Sequence, residues 1–350
     1  MKPTSVIFII ISVILACIGV LLCITASNMA NEQGIGIFSQ TGDANNNFIT
    51  AHEFDSSELK KIVINANDVD VNVYGGSAKD MIELVNFSAG TYDYTVSKST
   101  LQLSDNQGIT SLVDLENFKI NFNGFRDYLH YYKYRDKART VNLYVTDAAT
   151  VINLLITADS GNVTLNNLHL NKSAEDGKYY CDYKIKVGSG DVTLSHVSTE
   201  STIEIESSVN SRINLMGVQC NELQVNAVRG VLTLRQLSIH HKLYANMKSG
   251  SVDYQRTESN FAGFNVLLQA GNGLLRVYGN TVNTGKYTED NIVVPETGNT
   301  TDKDPSGETT EDVTGGTETG EDGTEIPPEP VEEPNNITII VEDGNIDVYS

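Results

Sequence analysis

Aliphatic residues alternate with polar ones over short runs through most of this chain. Ile62 and Ile64 lead into Val69, Val71 and Val73, with polar residues between them. A period of two puts one set of side chains on one face of an extended strand, so such runs predict half-buried β-strands. Met81–Phe87, Tyr92–Val96 and Leu101–Leu103 continue as short strands broken by Gly and Ser turns.

From Val141 the strands fall into a repeat. Five stretches read as strand, Gly turn, strand: Ile156–Leu165, Ile185–Leu194, Leu223–Leu234, Leu243–Tyr254 and Leu267–Tyr278. A weaker copy, Ile203–Leu215, has Ser211 where the others have Gly. The turn residues Gly161, Gly190, Ser211, Gly230, Gly250 and Gly273 lie 29, 21, 19, 20 and 23 residues apart. The long interval holds Ser173–Cys181, which reads as an inserted loop. A period near twenty with two short strands per unit is the signature of a solenoid, in which each unit buries too little alone and stacking builds the core. Gly suits the corner because it reaches φ > 0 without steric cost. Asp191 and Asn162 follow two of these glycines, and both residue types are common in turns. The competing reading is a carboxylate ladder for Ca²⁺ or a sugar. Val231 and Ser251 at the same place speak against it.

The two ends differ from this pattern. Val6–Ile24 is apolar apart from Ser12 and carries no charge. At about 1.5 Å per residue it reaches across a hydrocarbon core of about 30 Å. It is longer than the core of a signal peptide, which predicts a retained anchor. A cleaved signal, or a lipoprotein signal at Cys17, are the alternatives. Lys2 precedes it, so the positive-inside rule places the N-terminus in the cytoplasm and the body outside. At the other end, Ile337–Tyr349 is one more strand-turn-strand unit.

Charge divides the chain further. The net charge is −21, and Thr288–Pro334 holds fifteen acidic residues against Lys303 alone. Such a stretch buries too little apolar surface to offset the entropy of ordering, which predicts disorder. The acidic balance argues against nucleic acid as a partner. All prolines but Pro3 lie from Pro295 onward, which leaves the body free to donate its backbone N–H groups to ladders. The organisation predicted is therefore a cytoplasmic stub and transmembrane anchor (1–27), a polar stalk (28–55), a single-domain β-solenoid (56–284), an acidic disordered insertion (285–335) and a C-terminal unit (336–350). That last unit is expected to fold back and add a final rung.

Candidate chemistry is sparse. None of the six histidines sits in a metal or hydrolase motif, and no cofactor or metal is predicted. Cys181 and Cys220 lie two units apart, about 9–10 Å by strand spacing, beyond the reach of a disulfide. One segment stands out. Phe122–Arg139 holds five Arg and Lys against two Asp, with aromatic residues interleaved. Arg126, Tyr128, Tyr131, Tyr132, Lys133, Tyr134 and Arg135 form a candidate contact for glycan, anionic wall polymer or lipid headgroups, through stacking and charge. The alternative is a packed cap over an open end of the stack, since solenoids need their ends covered.

Val69–Gly76, Val141–Leu165 and the turns at Ser160, Ser189 and Ser249 together resemble the DUF4097-type family of bacterial adhesin-labelled β-strand repeat proteins. The resemblance covers roughly Ile62–Gly279. It implies a β-helix-like stack, often behind one membrane segment. Thr146-Asp147 stands where the family usually has Pro, and the acidic insertion is unusually long. No binding residues carry over. The function expected is a surface-exposed structural or adhesive binding module without catalysis. A sensor or envelope-stress component and a polysaccharide-active β-helix enzyme are the alternatives.

Overall fold

The computed structural model describes residues 47–87, 91–105, 113–114, 119–120, 137–256, 263–283, 285–290 and 335–349. Every regular element among them is a strand. The expected anchor lies outside the described residues, among which no helix is long and apolar enough to cross a membrane. Where the sequence reads as a single domain, the chain divides after Thr199 into two compact units.

The first unit begins with β1 (Ile49–Glu53), β2 (Lys61–Asp68), β3 (Asp70–Tyr74), β4 (Met81–Val85), β5 (Tyr92–Val96) and β6 (Thr100–Asp105). The two-residue strands β7 (Val113–Asp114) and β8 (Lys119–Ile120) pair with each other. β9 (Thr140–Tyr144), β10 (Asn153–Ser160), β11 (Val163–His169), β12 (Asp182–Ser189) and β13 (Val192–Ser198) follow. Parallel pairing arranges most of them as rungs. β10 and β11 form one rung, flanked by β12 with β13 on one side and β2 with β3 on the other. β6 and β9 make a further rung beyond β2 and β3. Equivalent side chains stack into columns: Leu103, Ile64, Ile156 and Ile185 in one, Leu143, Val73, Leu165 and Leu194 in another. All eight are essentially inaccessible. Burying each contributes about 1.5–3 kcal/mol, so the core is a set of ladders that no single rung could build.

Chain order and spatial order differ here. β2 and β3 precede the other rungs in the chain but lie inside the stack. The outer edge of the β6–β9 rung is closed by antiparallel strands, β5 on β6 and β4 on β9, with β1 on β4. β1 belongs to the stretch expected as a polar stalk. Its pairing covers an edge that would otherwise invite association.

The second unit holds β14 (Thr202–Met216), β15 (Gln219–Arg235), β16 (Ser238–Gln255), β17 (Asn265–Ala270), β18 (Leu275–Val277), β19 (Asn280–Thr281), β20 (Lys286–Asp290) and β21 (Asn336–Tyr349). Its interior columns include Ile205, Val225, Ala245, Ile339 and Leu268, all buried. β21 does not add a final rung. It pairs in parallel with β16 on one side and with β17 and β18 on the other. The outer edge is already taken. Tyr278 and Gly279, at φ 50° and 79°, turn the chain from β18 into β19. Two successive positive φ values make the two-residue hairpin turn whose twist matches the strands. β20, from the stretch assigned to the acidic insertion, covers β17. These local antiparallel closures leave β21 only the place inside.

The corner glycines answer to stacking as well as to φ. Gly190 (φ 142°) and Gly250 (φ 135°) lie directly over Gly161 and Gly230, and an added Cβ would run into the carbonyl oxygen beneath. Ser211 is tolerated because its rung has a bulge between Ser207 and Asn210, where its hydroxyl bonds that of Ser207 at 2.6 Å. A second corner escaped the sequence reading. Asn167 and His196 in one unit, and Gly217 and Gln236 in the other, all have φ between 51° and 64°.

Candidate functional site

The seven candidate contact residues, Arg126, Tyr128, Tyr131, Tyr132, Lys133, Tyr134 and Arg135, lie outside the described residues. Their surroundings are described. Asp105 ends β6 and Thr140 begins β9, and these strands occupy the two arms of one rung. In the next rung the same corner is the single residue Val69 between β2 and β3. The 34 residues from 106 to 139 are therefore an insertion at the corner of the outermost parallel rung of this unit.

Arg139 closes the neck of that insertion. Its Nη1 pairs with Asp105 Oδ1 at 2.9 Å, and its Nη2 donates to the carbonyl of Asp68 at 3.2 Å. The Asn67 amide N–H donates to Asp105 Oδ2 at 3.4 Å, and Asn67 Nδ2 to the Asp105 carbonyl at 3.2 Å. The guanidinium also stands 5.4 Å from the centre of the Phe87 ring. An aromatic chain continues from there. Phe87 meets Tyr92 edge-on, Tyr92 meets His52, and His52 stacks on Tyr94 at 4.7 Å. Burial holds the His52 imidazole below its ordinary pKa and pushes the Tyr94 phenol up. Sequence reasoning missed this group because its members are spread from 52 to 139 and share no periodicity.

On the outer face of β3 and β9, Tyr74 stacks on Tyr144 at 5.2 Å. Asn72 Nδ2 donates to Asn142 Oδ1 at 3.0 Å, and the Tyr144 hydroxyl donates to Glu83 Oε2 at 3.2 Å. Burial, helped by the Glu83 carboxylate, pushes the Tyr144 phenol up to about 12. These are stacked ladders of like residues, repeated because the rungs repeat.

The residues after the corner behave as turn residues. Asp70 Oδ1 accepts the Asn162 N–H at 2.7 Å, and Asn162 Oδ1 accepts the Asp191 N–H at 2.9 Å. Each side chain thus ties its rung to the next through an oxygen that a cation would need. No His, Cys, Asp and Glu cluster among the described residues has the arrangement to hold a metal. Ser195 Oγ lies 2.9 Å from His196 Nδ1, and among the described residues His196 has no carboxylate partner. Cys181 and Cys220 are each buried and free. Burial pushes the Cys220 thiol up to about 12 and the Cys181 thiol further.

Parallel rungs, an apolar interior and antiparallel closures define an all-β repeat protein of the solenoid type. A family model described as Toastrack DUF4097 matches residues 59–304, and the chain belongs to that family. Solved structures similar to it include a provisionally named cell adhesion protein from Clostridium sporogenes. It has 10% identity and a TM-score of 0.33, with 87% of this chain and 98% of that one covered. A provisionally named adhesin from Bacteroides fragilis has 13% identity and a TM-score of 0.29, covering 60% and 88%. Another, from Parabacteroides merdae, has 13% identity and a TM-score of 0.23, covering 60% and 80%. No curated protein matches the sequence.

Proposed function

We propose that this chain is a membrane-anchored, extracytoplasmic structural or adhesive module that needs no catalysis. Val6–Ile24 would hold it in the membrane with the N-terminus in the cytoplasm and the body on the outer side. The basic, aromatic stretch within 122–139 would make the contact, with glycan, anionic wall polymer or another surface protein as the partner. The observation that carries this reading is the placement of the insertion. A rigid rung supplies both of its ends, and the Arg139–Asp105 pair pins them together. Arg126, Lys133 and Arg135 among aromatic residues, in a chain of net charge −21, suit an anionic or sugar ligand that the rest of the surface would repel or ignore.

The test is binding of the purified full chain in detergent to a glycan array, to isolated wall polymer and to anionic vesicles. Retention on one of these is expected, with loss on the combined Tyr131→Ala, Tyr132→Ala and Arg135→Ala substitution. Equal retention of the variant, or none by either protein, defeats the reading. Membrane-fraction protein whose N-terminus precedes Val6 is expected from a retained anchor. A mature N-terminus near Asn28 contradicts it.

A further inference from the structure

β21 is complete in itself. Its 14 residues supply both arms of a rung, the corner Gly344 and five buried aliphatic side chains, Ile337, Ile339, Val341, Ile346 and Val348. It makes parallel ladders on both edges, to β16 and to β17 with β18. Those neighbours are joined directly to each other through residues 256–264, and the place between them is filled only when the last strand arrives. The 45 residues between Asp290 and Asn336 connect it to the rest of the chain. Fully extended, a segment of that length spans up to about 150 Å, so its length does not confine the strand to its own chain.

We propose that the place held by β21 is an exchangeable strand site, and that a second copy of this chain fills it by donating its own β21. The contacts made in exchange are the same as those made at home, so nothing in the slot distinguishes the two copies. Head-to-tail donation would link copies in series, and mutual donation would close a pair. The connecting segment sets the balance. The connecting segment carries thirteen acidic residues against one Lys, so two of them brought together repel, and salt relieves this. Across the seam with β16, Asp253 faces Asp347 in register, with Arg235 at 3.6 Å from the first and Arg276 at 3.7 Å from the second, and a donated strand makes this contact as the home strand does. The inference does not depend on the adhesive reading and concerns a different unit of the chain.

The experiment uses two populations of the full chain, one with Tyr244→Cys and one with Thr338→Cys, which are register partners across the β16–β21 seam. They are unfolded, refolded together at rising protein concentration and oxidised mildly, and the disulfides are mapped by peptide mass spectrometry. Exchange predicts a bond joining the two populations, gained in proportion to concentration and increased by salt. A control mixture pairs Tyr244→Cys with Glu204→Cys, on the outer face of β14, and should give no bond. Asp253→Cys with Asp347→Cys supplies a second register pair should a first variant fail to fold. The proposal is overturned if a chain carrying both substitutions of either pair cross-links within itself while the mixtures never exceed the control.

Discussion

Arg139 and Asp105 face each other across the neck of a 34-residue insertion, at 2.9 Å, with the carboxylate side chain only 2% exposed. The guanidinium and the Asn67 amide are the donors that make this burial tolerable. Replacing Arg139 by Met leaves a buried charge without its counterion, a loss of about 3 kcal/mol. Arg139→Met combined with Asp105→Asn should recover part of it. Urea unfolding of the wild type and the two variants measures both quantities. Equal midpoints for all three would show that the neck is held by something else.

The corner glycines separate two causes. Gly190→Ala is expected to cost about 3 kcal/mol or more, from a strained φ and a Cβ driven into the rung beneath. Gly177→Ala, at φ 73° with nothing within 4 Å, should cost only about 1 kcal/mol. A pair of thermal melts decides, and similar losses would mean that φ alone governs the corner.

Ile339 sits inside the second unit between Ala245 and Leu268. Ile339→Ala should therefore destabilise by about 2–4 kcal/mol, as any core truncation does. An unchanged denaturant midpoint would mean that the C-terminal strand does not contribute to the stack in solution.

His52 gives an acid dependence. Its folded pKa lies below the ordinary 6.5, so between the two values the unfolded chain holds the extra proton. Stability from this site is fully present above pH 6.5 and is lost as pH falls through the folded value. His52→Phe should flatten that part of the melting-temperature profile between neutral and acid pH. Imidazole NMR titration of His52 at or above the ordinary value would sink the argument.

The buried thiols act at the opposite end. Cys220 is raised to about 12 and Cys181 further, so in the folded protein neither offers a thiolate at pH 8. Stability from both is intact below the ordinary 9 and falls as pH rises above it, where only the unfolded thiols ionise. Alkylation mapped residue by residue should find both unmodified until denaturant is added. Rapid labelling of either in the native protein would place it at the surface.

Alternation at Ile185, Val187, Val192 and Leu194, and Gly recurring near every twentieth residue, were enough to read stacked strand-turn-strand rungs. Side-chain direction in a strand and the steric freedom of Gly are local properties, carried by a few adjacent residues. The anchor-like run Val6–Ile24 and the basic, aromatic Phe122–Arg139 were equally visible as composition. Spatial order was not. β2 with β3 precedes the other rungs in the chain and β21 reads as a last one, yet each lies between other rungs of its own unit. Aliphatic rungs share one pattern, so the pattern alone does not rank neighbours. The outer edges are covered by the local antiparallel strands β4, β5, β19 and β20. The pairing of Asp105 with Arg139, and the chain from Phe87 through Tyr92 and His52 to Tyr94, likewise exist only once distant strands are side by side. Sequence determined what each rung is made of, because backbone and side-chain preferences act over a few residues; tertiary structure decided where each rung goes, because that is a competition among edges.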